Sequence, residues 1–284
     1  MNVYDLKRTF QYAMHGNGAY KGLRQTNTLD AMEYWYKKGV RIFEIDMAKT
    51  ADEAYVAVAH YLNKKDLRRL EIFQLPQLCT QEWFLHQRLF SISTGGLSPM
   101  SLETIIEQMR LREDMIVMLD LFGLFTWKEA AGFTQVLQDC IGDQETLWNR
   151  LLLESYNQAM SDGIQSTCDS ANIIACVRYE ENEHEKSTVA PQELLERKIR
   201  FVSYPWHYTK EYPGEIETFS KTEITVISRT KDNTMENALK QAGVSVNILA
   251  QRYDGWKIIY QYPLYMMTYL KRIVVKVYIK LFKG

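Results

Sequence analysis

Two carboxylates two residues apart, Glu44 and Asp46, lie in the apolar run RIFEIDMA, with His15 upstream and His60 downstream, each where a strand-like segment ends. The period of a strand puts 44 and 46 on one face and Phe43 and Ile45 on the other. Two carboxylates so close on an apolar strand repel each other and lose hydration, which costs several kcal/mol per ion unless positive charge lies between them. A divalent cation is the simplest source of that charge. Arg41 and Lys49 are the alternative, but neither shares the face of 44 and 46 in a regular strand. A third acid, Asp120, closes the apolar segment MIVMLD on the face of Met118 and also asks for a partner, with a cap or a salt bridge as the other readings. His15 and His60 are then an acid/base pair flanking a metal site.

The elements that would position these groups alternate between strand and helix signals, the rhythm of parallel βα units. Strand-like runs are FQYAM, RIFEID, AYVAVAH, MIVMLDLFG, RLLLESY, ANIIACVRY, KIRFVSYPW and EITVISRT, which makes eight, the number a closed barrel requires. Between them, TNTLDAMEYWYKKG reads as a helix with a start at Asn27-Thr28 and a stop at Gly39, and ETIIEQMRL as a helix after Ser101. Further helices are expected at 126–140, 191–197 and 233–242. Residues 61–98 break the rhythm with a long irregular connection after the strand that carries His60. Ser155, Tyr179 and Trp206 fall near later strand ends, where they would line the mouth without a catalytic role.

The ordered set His15-Gly16, Thr26-Asn27-Thr28, Glu44-Ile45-Asp46 and His60 resembles the glycerophosphodiester phosphodiesterase family, which shares a (β/α)8 superfamily with phosphatidylinositol-specific phospholipase C and spider-venom-type phospholipase D. The resemblance is close over the first quarter of the chain. It implies an α/β fold, a (β/α)8 TIM barrel over residues 1–257 with an insertion after the third strand (61–98), followed by a tail, 258–284. Gly243 and VSVNILAQ resemble the family's last barrel element, which makes one of the later strand segments surplus. The resemblance further implies His15 and His60 as catalytic residues, and Glu44, Asp46 and Asp120 as ligands of Mg²⁺ or Ca²⁺, ions that take oxygen donors and keep waters. The attacking group in that superfamily is often the substrate's own adjacent hydroxyl. Departures are specific: Gly16 stands where the family has a phosphate-holding Arg, Thr26 where it has a ligand Glu, Phe122 where it has a Lys, and Tyr61 where an Asp is common. Lys21, Arg24 and Lys49 are the nearest basic residues to compensate.

Length and composition suit one such barrel: 284 residues, 46% hydrophobic, net charge −1. That balance gives no general attraction to nucleic acid. Six Lys or Arg and no acid follow Asp254, leaving 28 of the 34 basic residues against all 35 acidic ones upstream. Within YMMTYLKRIVVKVYIKLFKG, helical spacing puts Met266, Leu270, Ile273, Val274, Val277 and Leu281 on one stripe and Arg272, Lys276, Lys280 and Lys283 on another. Such a tail suits an anionic membrane surface at about 1 kcal/mol per basic residue; a helix covering the barrel fits it equally, and the β-branched residues of 273–279 leave a terminal strand as a third reading. Four cysteines without a CxxC pair read as free thiols in a reducing compartment, and no apolar leader or 18-residue apolar run is present, so a cytoplasmic protein is expected. Two functions follow. One is metal-dependent cleavage of a glycerol- or polyol-phosphate diester, lipid- or glycan-linked; the other is a catalytically silent barrel that binds a phosphorylated ligand or a membrane-bound partner.

Overall fold

The computed structural model describes residues 2–21, 25–58, 75–87, 96–121, 123–177, 190–205, 213–230 and 236–249. Nine strands are formed there: β1 Gln11–Met14, β2 Ile42–Lys49, β3 Tyr55–Ala57, β4 Ile116–Asp120, β5 Leu151–Ser155, β6 Asn172–Cys176, β7 Phe201–Pro205, β8 Thr225–Thr230 and β9 Val246–Leu249. Eight of them are parallel neighbours in the order β1-β9-β8-β7-β6-β5-β4-β2, and β1 also pairs with β2 through Ala13 and Ile42. That last pairing closes the sheet, and the fold is a (β/α)8 TIM barrel.

One strand differs from the sequence reading. AYVAVAH is not a barrel strand: its Tyr55–Ala57 part runs antiparallel to β2, with Met47 opposite Ala57, and lies outside the ring. All four later segments are genuine, and Val246–Leu249 is the eighth barrel strand. Only residues 50–54 join β2 to β3, enough for a hairpin but far short of the dozen or so residues that a parallel crossover needs. The long connection therefore follows a hairpin rather than a third barrel strand.

Period-2 alternation then sorts the side chains. Ala13, Ile42, Ile116, Met118, Leu152, Ile174, Phe201, Ile227, Val246 and Ile248 fill the barrel interior, and Val3 and Leu6 from the N-terminal 3₁₀ turn close its lower end. Phe43, Ile45, Val117, Leu119, Leu151, Leu153, Val202 and Val226 face outward into the layer shared with the helices. Each such burial is worth about 1.5–3 kcal/mol relative to exposure, which pins the register against a one-residue slip. With the barrel interior filled by apolar residues, the inward-facing acids lie toward the C-terminal ends of the strands. His15 follows β1 there, Asp46 and Asp120 lie at or near the ends of β2 and β4, and Glu154 sits one residue before the end of β5.

Helices hold these ends in place. Ser101 caps Leu102–Leu111 by accepting from the Thr104 amide, and Thr126 with Glu129 forms a capping box at the start of Trp127–Ile141. Leu29–Lys37 begins after Thr28 as expected, although the Thr28 side chain makes no capping bond. The tail, His60 and most of residues 61–98 lie outside the described residues, as do Tyr179 and Trp206. No helix among the described residues is long and apolar enough to cross a membrane.

Candidate active site at the barrel mouth

Parallel register places Glu44 beside Met118, Asp46 beside Asp120, and Asp120 beside Glu154. Because Ile42, Glu44 and Asp46 share a parity, as do Met118 with Asp120 and Leu152 with Glu154, all four carboxylates point into the mouth end of the barrel. They are buried: the side chains of Glu44 and Glu154 are 0% exposed and that of Asp120 is 3% exposed. The alternatives to a shared site fail on the same parity, since Arg41 pairs with Asp114 and Lys49 Nζ lies 3.0 Å from Glu53 Oε1.

Backbone and side-chain donors orient the acids. Gly16 N–H donates to Glu44 Oε2 at 2.7 Å, and Asn27 Nδ2 donates to Asp46 Oδ2 and to the Val58 carbonyl, both at 2.6 Å. Tyr156 donates its hydroxyl to Asp120 Oδ1 at 2.6 Å and also lies 3.2 Å from Glu154 Oε2. Burial, then the charges of Asp120 and Glu154, push the Tyr156 phenol well above its usual range, so it stays a donor. His15 presents Nε2 at 3.7 Å from Glu44 Oε1, and Gln25 Nε2 contacts its Nδ1 at 2.7 Å. An amide nitrogen can only donate, so with this amide orientation the neutral ring carries its proton on Nε2, facing Glu44.

The counter-charge comes from a residue that the sequence reading did not single out. Arg229, on β8 at the parity of Ile227, pairs with Glu154 through Nη2 and lies 3.8 Å from Glu44 Oε1 and 3.7 Å from Asp120 Oδ2. Burial alone would lower its pKa, but Glu154, Tyr156, Glu44 and Asp120 together raise it well above normal. One guanidinium cannot balance four carboxylates. Burial, the Asp46 charge and the other acids push Glu44 well above the carboxylate range despite Arg229, and burial with Glu154 raises Asp120 to about 7. Glu44 Oε1 and Glu154 Oε1 are buried and accept no hydrogen bond among the described residues. Ligand atoms of His15, Glu44 and Asp46 lie within 4.8 Å of one another, as do those of Glu44, Asp120 and Glu154. Unsatisfied carboxylate oxygens at this spacing fit a divalent cation, and the buried group could hold one.

Glu154 and Arg229 were missed, yet each carries the signal that singled out Asp120, a charge at the end of an apolar strand. The carboxylate absent at Thr26, whose hydroxyl is 2.9 Å from that of Thr28, is matched in number by Glu154. Lys49 has the outward parity of Ile45 and lies 3.0 Å from Glu53 Oε1, and Arg24 lies outside the described residues. Ser155 bonds to the Asn157 carbonyl and to Ser161, supporting the turn into Gln158–Thr167.

Gly16 explains one departure physically. Its φ is +54°, and a Cβ there would stand 2.6 Å from the Cα and Cβ of Gln25. Gly16→Ala is expected to destabilise the fold by at least the about 1–2 kcal/mol of a left-handed non-glycine residue, with the amide that holds Glu44 displaced. Thermal unfolding checks this, and a variant as stable as the wild type would mean that the turn relaxes freely.

No protein-family model matches the sequence, and no curated protein matches it. Solved structures do: a glycerophosphodiester phosphodiesterase from Parabacteroides distasonis superposes with a TM-score of 0.66 at 16% identity, covering 85% of this chain and 93% of that one. An Oleispira antarctica phosphodiesterase in complex with the product sn-glycerol-3-phosphate gives 0.66 at 13%, covering 86% and 94%. The Thermotoga maritima glycerophosphodiester phosphodiesterase gives 0.60 at 14%, covering 88% and 96%. The chain thus has the fold of the glycerophosphodiester phosphodiesterases, with a buried His and carboxylate cluster at the barrel mouth.

Proposed function

We propose that this protein is a metal-dependent phosphodiesterase that cleaves a glycerophosphodiester-like substrate. The observation that carries the reading is the mouth cluster, where among the described residues Glu44, Asp46, Asp120 and Glu154 face one guanidinium, and Glu44 Oε1 and Glu154 Oε1 accept no hydrogen bond. Structural or solvating roles do not call for four buried acids in one place. Glu44, Asp46 and Asp120, joined by Glu154, are the residues that would hold Mg²⁺ or Ca²⁺. When bound, the cation supplies positive charge to a non-bridging phosphate oxygen. His15 moves a proton at Nε2 on one side of the phosphorus and His60 serves the other side, one as base toward the attacking hydroxyl and one as acid toward the leaving alkoxide. Asn27, Tyr156 and the Gly16 amide keep the acids oriented, and the apolar floor beneath them excludes water from below.

A glycerol phosphate diester is the substrate class favoured by the likeness to the Oleispira structure, and the basic tail suits a lipid-linked form of it at a cytoplasmic membrane surface. The decisive test is hydrolysis of bis(p-nitrophenyl) phosphate and of glycerophosphodiesters with Mg²⁺ or Ca²⁺ and with chelator. Turnover that needs the cation is expected. Inertness toward every diester, combined with tight binding of a glycerol phosphate, would favour the silent phosphate-binding barrel, a reading supported by the Gly at position 16.

A further inference from the structure

A side-chain cation that holds the phosphate would complement the divalent ion and the groups that move protons. Position 16 cannot supply it here: the residue is glycine, its φ is +54°, and a Cβ would collide with the backbone of Gln25. Lys49 is engaged by Glu53, and Lys21 Nζ lies over the Tyr20 ring at 5.5 Å. Among the described residues, Arg229 is the one arginine or lysine paired with the mouth acids. Its side chain is 25% exposed, whereas those of Glu44 and Glu154 are 0% exposed. Part of the Arg229 side chain therefore reaches solvent, which the carboxyls of Glu44 and Glu154 do not. The guanidinium has five donors, and its pairings with Glu44 and Asp120, at 3.8 and 3.7 Å, are too long for hydrogen bonds. Donors thus remain for a second oxyanion.

We propose that Arg229 is the phosphate-binding residue of this site, held on Glu154 in the resting protein and turned toward the non-bridging oxygens of the substrate phosphate on binding. This rests on the phosphodiesterase reading and assigns to β8 a task for which position 16, after β1, has no side chain. Moving the guanidinium removes one partner from Glu154 Oε2, which keeps the Tyr156 hydroxyl at 3.2 Å, and leaves Oε1, which accepts no hydrogen bond among the described residues, as a donor to a cation. The forked, planar guanidinium suits two phosphate oxygens at once, which an ammonium does not.

Calorimetric titration of the full chain with sn-glycerol 3-phosphate in Mg²⁺, and separately with Mn²⁺ alone, tests the assignment beside diester hydrolysis. Arg229→Gln is expected to weaken glycerol phosphate binding about 10- to 100-fold, the loss of one to two charge-assisted hydrogen bonds, while Mn²⁺ binds as tightly as before or more tightly. Arg229→Lys should fall between the two. If Arg229 were only a structural counter-charge, Arg229→Gln would tighten Mn²⁺ binding and leave glycerol phosphate affinity at the wild-type value, and that result overturns the proposal. Should Arg229→Gln fail to fold, Arg229→Lys keeps the charge and loses the fork: weaker glycerol phosphate binding at unchanged Mn²⁺ affinity supports the proposal, and wild-type affinity for both overturns it. Wild-type protein that neither hydrolyses a diester nor binds glycerol phosphate overturns the phosphodiesterase reading and this one together. Wild-type activity with no effect at Arg229 overturns this one alone.

Discussion

His15→Ala is expected to lower turnover of a phosphodiester by about 10²- to 10⁴-fold, the range for removal of a positioned general acid or base, with the fold retained. The imidazole is buried beside Glu44, and its Nδ1 is fixed by Gln25, so ring orientation and tautomer are set before substrate arrives. Its removal leaves a small polar void at the mouth rather than a hole in the apolar core, which is formed by other residues. Melting temperature should therefore change little. His60→Ala should have a comparable effect on turnover, since cleavage needs a proton taken on one side of the phosphorus and given on the other. Steady-state kinetics on the diester substrate, together with circular dichroism, check both. Full activity in either variant would sink the two-histidine scheme.

Asp120→Asn should act in opposite directions on the stability of the protein with and without a divalent cation. Burial and Glu154 raise the Asp120 carboxyl from 3.8 to about 7, against the pull of Arg229 and the Tyr156 hydroxyl. Between those two values the folded protein holds a proton that the unfolded chain has released, so stability falls as pH rises through this window. The penalty is complete above pH 7 and absent below the unfolded value. In chelator, asparagine removes it, and the variant should gain up to about 4 kcal/mol over wild type at pH 8, with a smaller gain at pH 5. With Mg²⁺ or Ca²⁺ the order reverses, because the wild type is stabilised by a cation that the variant holds poorly. Urea unfolding at both pH values, with chelator and with cation, reads all four numbers. A variant less stable than wild type at pH 8 in chelator would mean that the protein already neutralises Asp120 without a metal.

Much of this site could be read locally. Alternation along β2 and β4 placed Glu44, Asp46 and Asp120 on inward faces and excluded Arg41 and Lys49 as partners, because the facing of a strand residue depends only on its neighbours in sequence. The same reasoning misjudged Tyr55–Ala57. A short apolar run is strand-like whether it joins the ring or folds back as a hairpin, and the length of the preceding turn, not its composition, held the answer.

What the sequence determined by itself was the parallel rhythm, the inward acids and the histidine that follows β1, all products of period-2 patterning over a few residues. Closure of the barrel decided the rest. Only when β1 pairs with β2 does the ring bring Arg229 of β8 across the mouth to Glu154 of β5 and Glu44 of β2, residues separated by 75 and 185 positions. Likewise only the folded turn at Gly16 shows that no side chain fits there. Charge partners of this kind follow from which strands face one another across a closed ring, and no periodicity within a strand encodes that.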